Sequence, residues 1–243
     1  REKYPADMID AMGEESVGMS MPPEISVAQQ NWMLKKLADL YGYTCPPEAC
    51  FEWKCYADRL RPDPRRGNTF NARAALIAHA WKFKLIPIGG FCEHNNSYWN
   101  TVWSGGYFER APLFYPRPAF NAAATLTQVL DSSRFARMVP TGSKTVYALE
   151  FLRGGEAIYV LWTPRGETTV ATDAPAGAKI RLTTAFGAES DLAGQTVEGG
   201  EDPLYLTVKA GTIKGFAAGR QRSFRHESDP GADRAAVAAP IDK

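Results

Sequence analysis

Ala49-Cys50-Phe51-Glu52-Trp53-Lys54-Cys55-Tyr56 reads as a short strand set between two long helical stretches, and that placement decides the fold. Upstream, residues Ser26 to Tyr41 carry Val27, Trp32, Leu34, Leu37, Ala38 and Leu40 at spacings that predict a buried helical stripe. Gly42 stands where a C-terminal cap belongs. Before that helix, Met8 to Met12 reads as a strand ending in Gly13-Glu14-Glu15. Downstream, a polar loop from Asp58 to Gly67 leads into a second helix from Thr69 to about Phe83. Leu85 to Phe91 is strand-like again, a long loop follows, and Pro118 to Leu130 is a third helix rich in Ala and Leu. Strand then helix, repeated in order, is the pattern of a parallel α/β sheet. A closed barrel of eight such units takes about 250 residues, so three units make either part of a barrel or a small open sheet.

From about Phe135 the texture changes. Thr145–Leu152, Ala157–Trp162, Thr168–Thr172, Lys179–Thr184 and Leu204–Val208 are short β-like runs, separated by turn signals such as Arg153-Gly154-Gly155-Glu156 and Pro164-Arg165-Gly166-Glu167. This spacing predicts a compact antiparallel β-sandwich. The expected fold class is therefore α/β plus all-β, with an α/β part over residues 1–133, a sandwich over 134–218, and a charged, loosely ordered tail over 219–243.

With 243 residues, 44% of them hydrophobic, the chain can bury a sizeable core. A formal net charge of +1 removes any whole-chain case for nucleic acid or an anionic membrane surface. No apolar run approaches the roughly 20 residues needed to span a bilayer. The opening Arg1-Glu2-Lys3-Tyr4-Pro5 has no apolar stretch of a signal peptide, and reads as processed or truncated. Cys45, Cys50, Cys55 and Cys92 lack the paired spacing of a zinc site, and both disulfides and buried thiols remain open to them. No phosphate loop, dinucleotide fingerprint or nucleophile elbow occurs, and no cofactor or metal is expected.

The residues with chemical potential gather around the central strand and one loop. Alternation places Glu52 and Lys54 on one face of the strand, with Phe51, Trp53 and Cys55 on the other. A carboxylate in an apolar strand is costly unless paired or used, and a neighbouring ammonium keeps it ionised, as a carboxylate nucleophile requires. An ion pair on an exposed edge strand explains the same pattern. Glu14 and Glu15 stand at a strand end, suited either to substrate hydroxyls or to capping the next turn. The loop from Cys92 to Trp103 offers flat aromatic faces in Tyr98, Trp99 and Trp103, and amides in Asn95, Asn96 and Asn100. Sugars use both, stacking C–H surfaces on rings and hydroxyls on amides, although packing of the loop would use the rings as well. Glu93 and His94 lack further ligands for a metal, and the arginines between Arg59 and Arg66 suit internal ion pairs or an acidic sugar group.

Taken together these stretches resemble the C-terminal portion of clan A glycoside hydrolases. Phe51-Glu52-Trp53 resembles the seventh-strand segment that bears the nucleophilic glutamate, and Asn71 to Phe83 resembles the seventh helix. Tyr98-Trp99-Asn100-Thr101-Val102-Trp103 is similar to the eighth-strand region that floors the sugar subsite. Tyr115 to Ala122 resembles the helix leading into a trailing sandwich, and Tyr159-Val160-Leu161-Trp162-Thr163 a strand of that sandwich. The resemblance implies a (β/α)8 barrel enzyme that cleaves a polysaccharide or oligosaccharide with retention, outside the cytoplasm. It implies Glu52 as nucleophile and an aromatic of the stretch with Tyr98, Trp99 and Trp103 as the sugar floor; Glu15 and Asn96 complete the expected substrate-binding set on residue type and position. The family's acid/base glutamate, usually in an Asn-Glu pair on the fourth strand, has no counterpart, because the chain contains no Asn-Glu dipeptide. A missing N-terminal barrel half, or a partner chain, is therefore expected. The competing reading is a non-catalytic glycan-binding or surface-assembly protein on a barrel-derived scaffold.

Overall fold

The structure is a computed structural model, and it describes residues 12–15, 23–43, 47–50, 68–83, 108–109, 115–164 and 166–222. The first described elements are strand β1 (Met12–Glu15), helix α1 (Pro23–Tyr41) and strand β2 (Pro47–Cys50). β1 and β2 pair in parallel, Met12 opposite Pro47 and Glu15 opposite Cys50, with α1 as the connection between them. Glu14 and Glu15 thus lie inside the strand, paired with Ala49 and Cys50, rather than in a loop beyond it. The expected strand Leu85–Phe91 and the part of the central strand beyond Cys50 lie outside the described residues.

Pro23 opens α1 where a missing N–H costs nothing, three residues before the expected start. Gly42, at φ 73°, ends it: the Gly42 N–H donates to the Asp39 carbonyl and the Tyr43 N–H to the Ala38 carbonyl, a Schellman cap. The buried stripe expected on α1 is not found. Leu34 is buried, but Trp32, Leu37 and Leu40 stand well exposed, because the face carrying Glu24, Ala28 and Leu34 is the one turned inward. Helical spacing reported an apolar face correctly and left open which face has something to pack against.

Helix α2 (Phe70–Ala80) is buried almost all round, with even Asn71 and Arg73 inside. After it come a two-residue antiparallel pair, β3 (Phe108–Glu109) with β4 (Tyr115–Pro116), and helix α3 (Pro118–Leu130), whose bounds match the sequence reading. The rest is antiparallel. β5 (Arg134–Met138), β6 (Tyr147–Arg153), β7 (Glu156–Trp162), β9 (Arg181–Thr183), β10 (Glu189–Asp191) and β12 (Leu204–Lys209) form a six-stranded sheet ordered β10-β9-β12-β7-β6-β5. β8 (Thr168–Thr172), β11 (Thr196–Gly199) and β13 (Phe216–Ala218) form a second sheet ordered β11-β8-β13. The β6–β7 hairpin turns at Gly154, whose φ of 56° an L side chain rarely adopts, at the expected Arg153-Gly154-Gly155-Glu156 signal.

The large sheet is covered on both faces. Val146, Ala148, Tyr159, Leu161, Leu206 and Val208 meet Val170, Val197 and Phe216 of the small sheet. Leu149, Phe151, Ile158, Val160, Trp162 and Tyr205 point the other way, into a core shared with Leu34, Phe70, Leu76, Ile77, Ala122 and Leu126 of the helices. Double coverage explains why β7 is buried from Ala157 through Trp162 without a polar alternate. The sandwich and the helical layer therefore share one apolar core.

Candidate functional site

The sequence points to six site residues, and five of them, Glu52, Asn96, Tyr98, Trp99 and Trp103, lie outside the described residues. Glu15 closes β1, and its backbone partner across the parallel pair is Cys50, the residue two before Glu52 in the chain. The parallel register sets Glu15 level with Cys50. Parallel β-strands of α/β folds place ligand-handling residues at their C-terminal ends.

The most fully built polar constellation in the described residues is one the sequence reading missed. It lies where α1, α2 and the large sheet meet. Glu24, in the first turn of α1, places Oε1 3.2 Å from Nε of Arg73 on α2. The same oxygen accepts a 2.7 Å hydrogen bond from the indole N–H of Trp162 on β7. Arg73 also donates from Nη1 to the Glu201 carbonyl at 3.2 Å, and the Glu201 carboxylate stands 3.8 Å from that nitrogen. Thr69 directs its hydroxyl to Asp202 Oδ1 at 3.0 Å instead of capping α2. Trp162 is stacked at 5.0 Å on Tyr147, whose hydroxyl pKa is pushed up by burial and by the Glu24 charge. Burial pushes the Asp202 carboxyl up, against the Thr69 hydrogen bond and the Arg73 charge, and it pushes the Tyr205 phenol up strongly.

Chemically this constellation holds charge and does not present it. The side chains of Glu24 and Arg73 are each 1% exposed, so no substrate reaches them. A buried guanidinium flanked by two carboxylates and a carbonyl is stable only while all of them are in place. The sequence carried one signal for it: Arg73 is a lone permanent cation within Phe70–Ala80, a helix otherwise made almost wholly of small and apolar residues. Its partners Glu24 and Glu201 come from distant parts of the chain, and spacing does not reveal them.

A second feature of the same layer is His79, at the end of α2, edge-on to Phe151 of β6 with ring centroids 5.8 Å apart. Desolvation holds its pKa below the ordinary 6.5. The folded state thus binds fewer protons than the unfolded one. The stability this confers is complete above pH 6.5 and is lost as pH falls through the folded value. Thermal unfolding is expected to shift down as pH falls below 6.5. His79→Gln should flatten that part of the profile, and an unchanged slope would remove His79 as its source.

Among the described residues no group of three His, Cys, Asp or Glu side chains is placed to hold a metal ion, and no helix is long and apolar enough to cross a membrane. No family model matches the sequence, and no curated protein matches it. Solved structures do. A conserved exported protein from Bacteroides fragilis aligns with a TM-score of 0.54 at 11% identity, over 82% of this chain and 46% of that one. An Anoxybacillus alpha-amylase aligns at a TM-score of 0.46 and 11% identity, over 83% of this chain and 48% of that one. A GH30 endoxylanase from Clostridium papyrosolvens aligns at 0.44 and 11% identity, over 84% and 50%. The chain thus spans about half the length of each of these structures, and the likeness to the exported protein is one of fold.

Proposed function

We propose that this chain is the C-terminal part of a retaining glycoside hydrolase, with residues 1–133 derived from the last three units of a (β/α)8 barrel and residues 134–218 forming its trailing sandwich. In this reading Glu52 attacks the anomeric carbon of a glycan, and a covalent glycosyl-enzyme forms as the leaving-group oxygen is protonated. Water then breaks the ester with retention. Glu15 and Asn96 hold sugar hydroxyls, and Tyr98, Trp99 and Trp103 supply stacking faces. The proton comes from a carboxylic acid about 5–5.5 Å from the nucleophile, carried by polypeptide outside this chain. The enzyme works outside the cytoplasm.

The observation that carries the reading is the parallel β1–α1–β2 unit. It sets Glu15 of β1 level with Cys50 of β2, two residues before Glu52 in the chain. The order of that unit, two further helices and a sandwich matches the order the resemblance implies. In the complete enzyme, Glu52→Gln is expected to abolish turnover and leave glycan binding in place, measured by reducing-sugar release beside calorimetric titration. Substantial residual turnover would reject the nucleophile.

The absence of an Asn-Glu dipeptide from all 243 residues favours one other reading, a glycan-binding or surface-assembly protein without catalysis. Binding with no turnover in every assembly that contains this chain would select it.

A further inference from the structure

Helix α1 turns a second apolar face to solvent. Ile25, Trp32, Met33, Leu37, Leu40 and Tyr41 are each between 45% and 62% exposed. At 100° per residue, the first five fall within an arc of about 140°. Ser26, Gln29 and Lys36 also fall within that arc, the Lys36 ammonium 5.9 Å from the Trp32 ring centre. The inward arc, with Glu24, Ala28 and Leu34, is already used by the shared core. Contiguous apolar surface of this kind marks an interface.

The strand before the helix has the same deficit. Among the described residues β1 pairs only with β2, in a two-stranded parallel sheet. Parallel sheets persist with helices over their faces and with further strands at their edges. The exported protein that shares this fold extends over more than twice the aligned part, since the alignment covers 46% of it.

We propose that the exposed face of α1 is the seat of the helix of a preceding βα unit, supplied by polypeptide N-terminal to this chain, whose strand pairs with the edge of β1 away from β2. One geometric rule joins the two deficits. Crossovers between parallel strands are right-handed in about 98% of cases, so crossover helices of strands added in one direction along a sheet lie on the same side of it. α2 already packs beside α1 within the shared core. The helix of a unit added before β1 therefore arrives on the other flank of α1, where Trp32, Met33, Leu37 and Leu40 stand. The inference deepens the barrel reading of the proposed function and is independent of its chemistry.

Trp32 and Met33 are oxidisable and close together in sequence, so hydroxyl-radical footprinting with peptide mass analysis reports on this face. The experiment compares the 243-residue chain alone with the native polypeptide purified from its source. In the native polypeptide, oxidation of Trp32 and Met33 should fall roughly tenfold or more, as the fully buried core of an interface requires. Cross-links from Lys36 should then lead to sequence N-terminal to this chain. Equal oxidation in both samples overturns the proposal. So does protection that appears only with concentration and cross-links copy to copy, or protection by an unrelated co-purifying protein. No readout depends on turnover, so an inactive native protein with a covered face sinks the hydrolase reading alone.

Discussion

Arg73→Met is expected to destabilise the chain by about 3–5 kcal/mol, the range for breaking a buried ion pair from one side. Equilibrium urea unfolding followed by circular dichroism measures it. The reason is what remains. Arg73 is 1% exposed and stands against Glu24, which is equally buried, and beside the Glu201 carboxylate and carbonyl. Methionine fills much of the volume but leaves the Glu24 carboxylate inside an apolar core with, among the described residues, one neutral donor, the Trp162 indole. Removing the Glu24 charge as well, as Arg73→Met with Glu24→Leu, should recover part of the loss, because an apolar pair is often as stable as the ion pair it replaces, while the less buried Glu201 carboxylate stays behind. A single variant within about 1 kcal/mol of wild type would mean that Glu24 is neutralised or hydrated at little cost.

That network also marks what sequence reading reaches and what it does not. Local chemistry was legible. Gly42 ended α1 through a Schellman cap as its position indicated, α3 ran from Pro118 to Leu130 as expected, and the Gly154-Gly155 turn made its hairpin. Each depends on residues adjacent in the chain. The edge strands β10 and β11 were missed because they are short and polar, held by backbone pairing to β9 and β8 and not by an apolar pattern of their own. The inward face of α1 was misread because Trp32, Leu37 and Leu40 are as apolar as a core stripe, and only tertiary contacts distinguish a face that packs from a face that waits. Glu24 and Arg73 were passed over because a charge in a helix has no local marker that a carboxylate far along the chain will neutralise it. Of the candidate site, the sequence offered residue types and the fold adds the parallel register that brings Glu15 level with Cys50.

Trp162→Ala should cost about as much as Arg73→Met, roughly 3–5 kcal/mol for truncating a large buried aromatic. Trp162 is the largest fully buried side chain of the described residues and lies stacked on Tyr147 at 5.0 Å. Two effects combine in that number, and a second variant separates them. Trp162→Phe keeps an aromatic ring beside Tyr147 but removes the N–H that donates to Glu24, so it should cost about 1–3 kcal/mol, the penalty of a buried acceptor losing its donor. Coupling decides whether the network is one object. Arg73 and Trp162 meet the same Glu24 oxygen, so the two losses should not add. In a double-mutant cycle, Trp162→Phe should cost measurably less in the Glu24→Leu background, where there is no carboxylate left to satisfy, with an interaction energy of about 0.5–3 kcal/mol. A cycle that closes to zero would show Trp162 acting by bulk alone. A non-zero cycle would mean that this hydrogen bond ties the sandwich to helix α1.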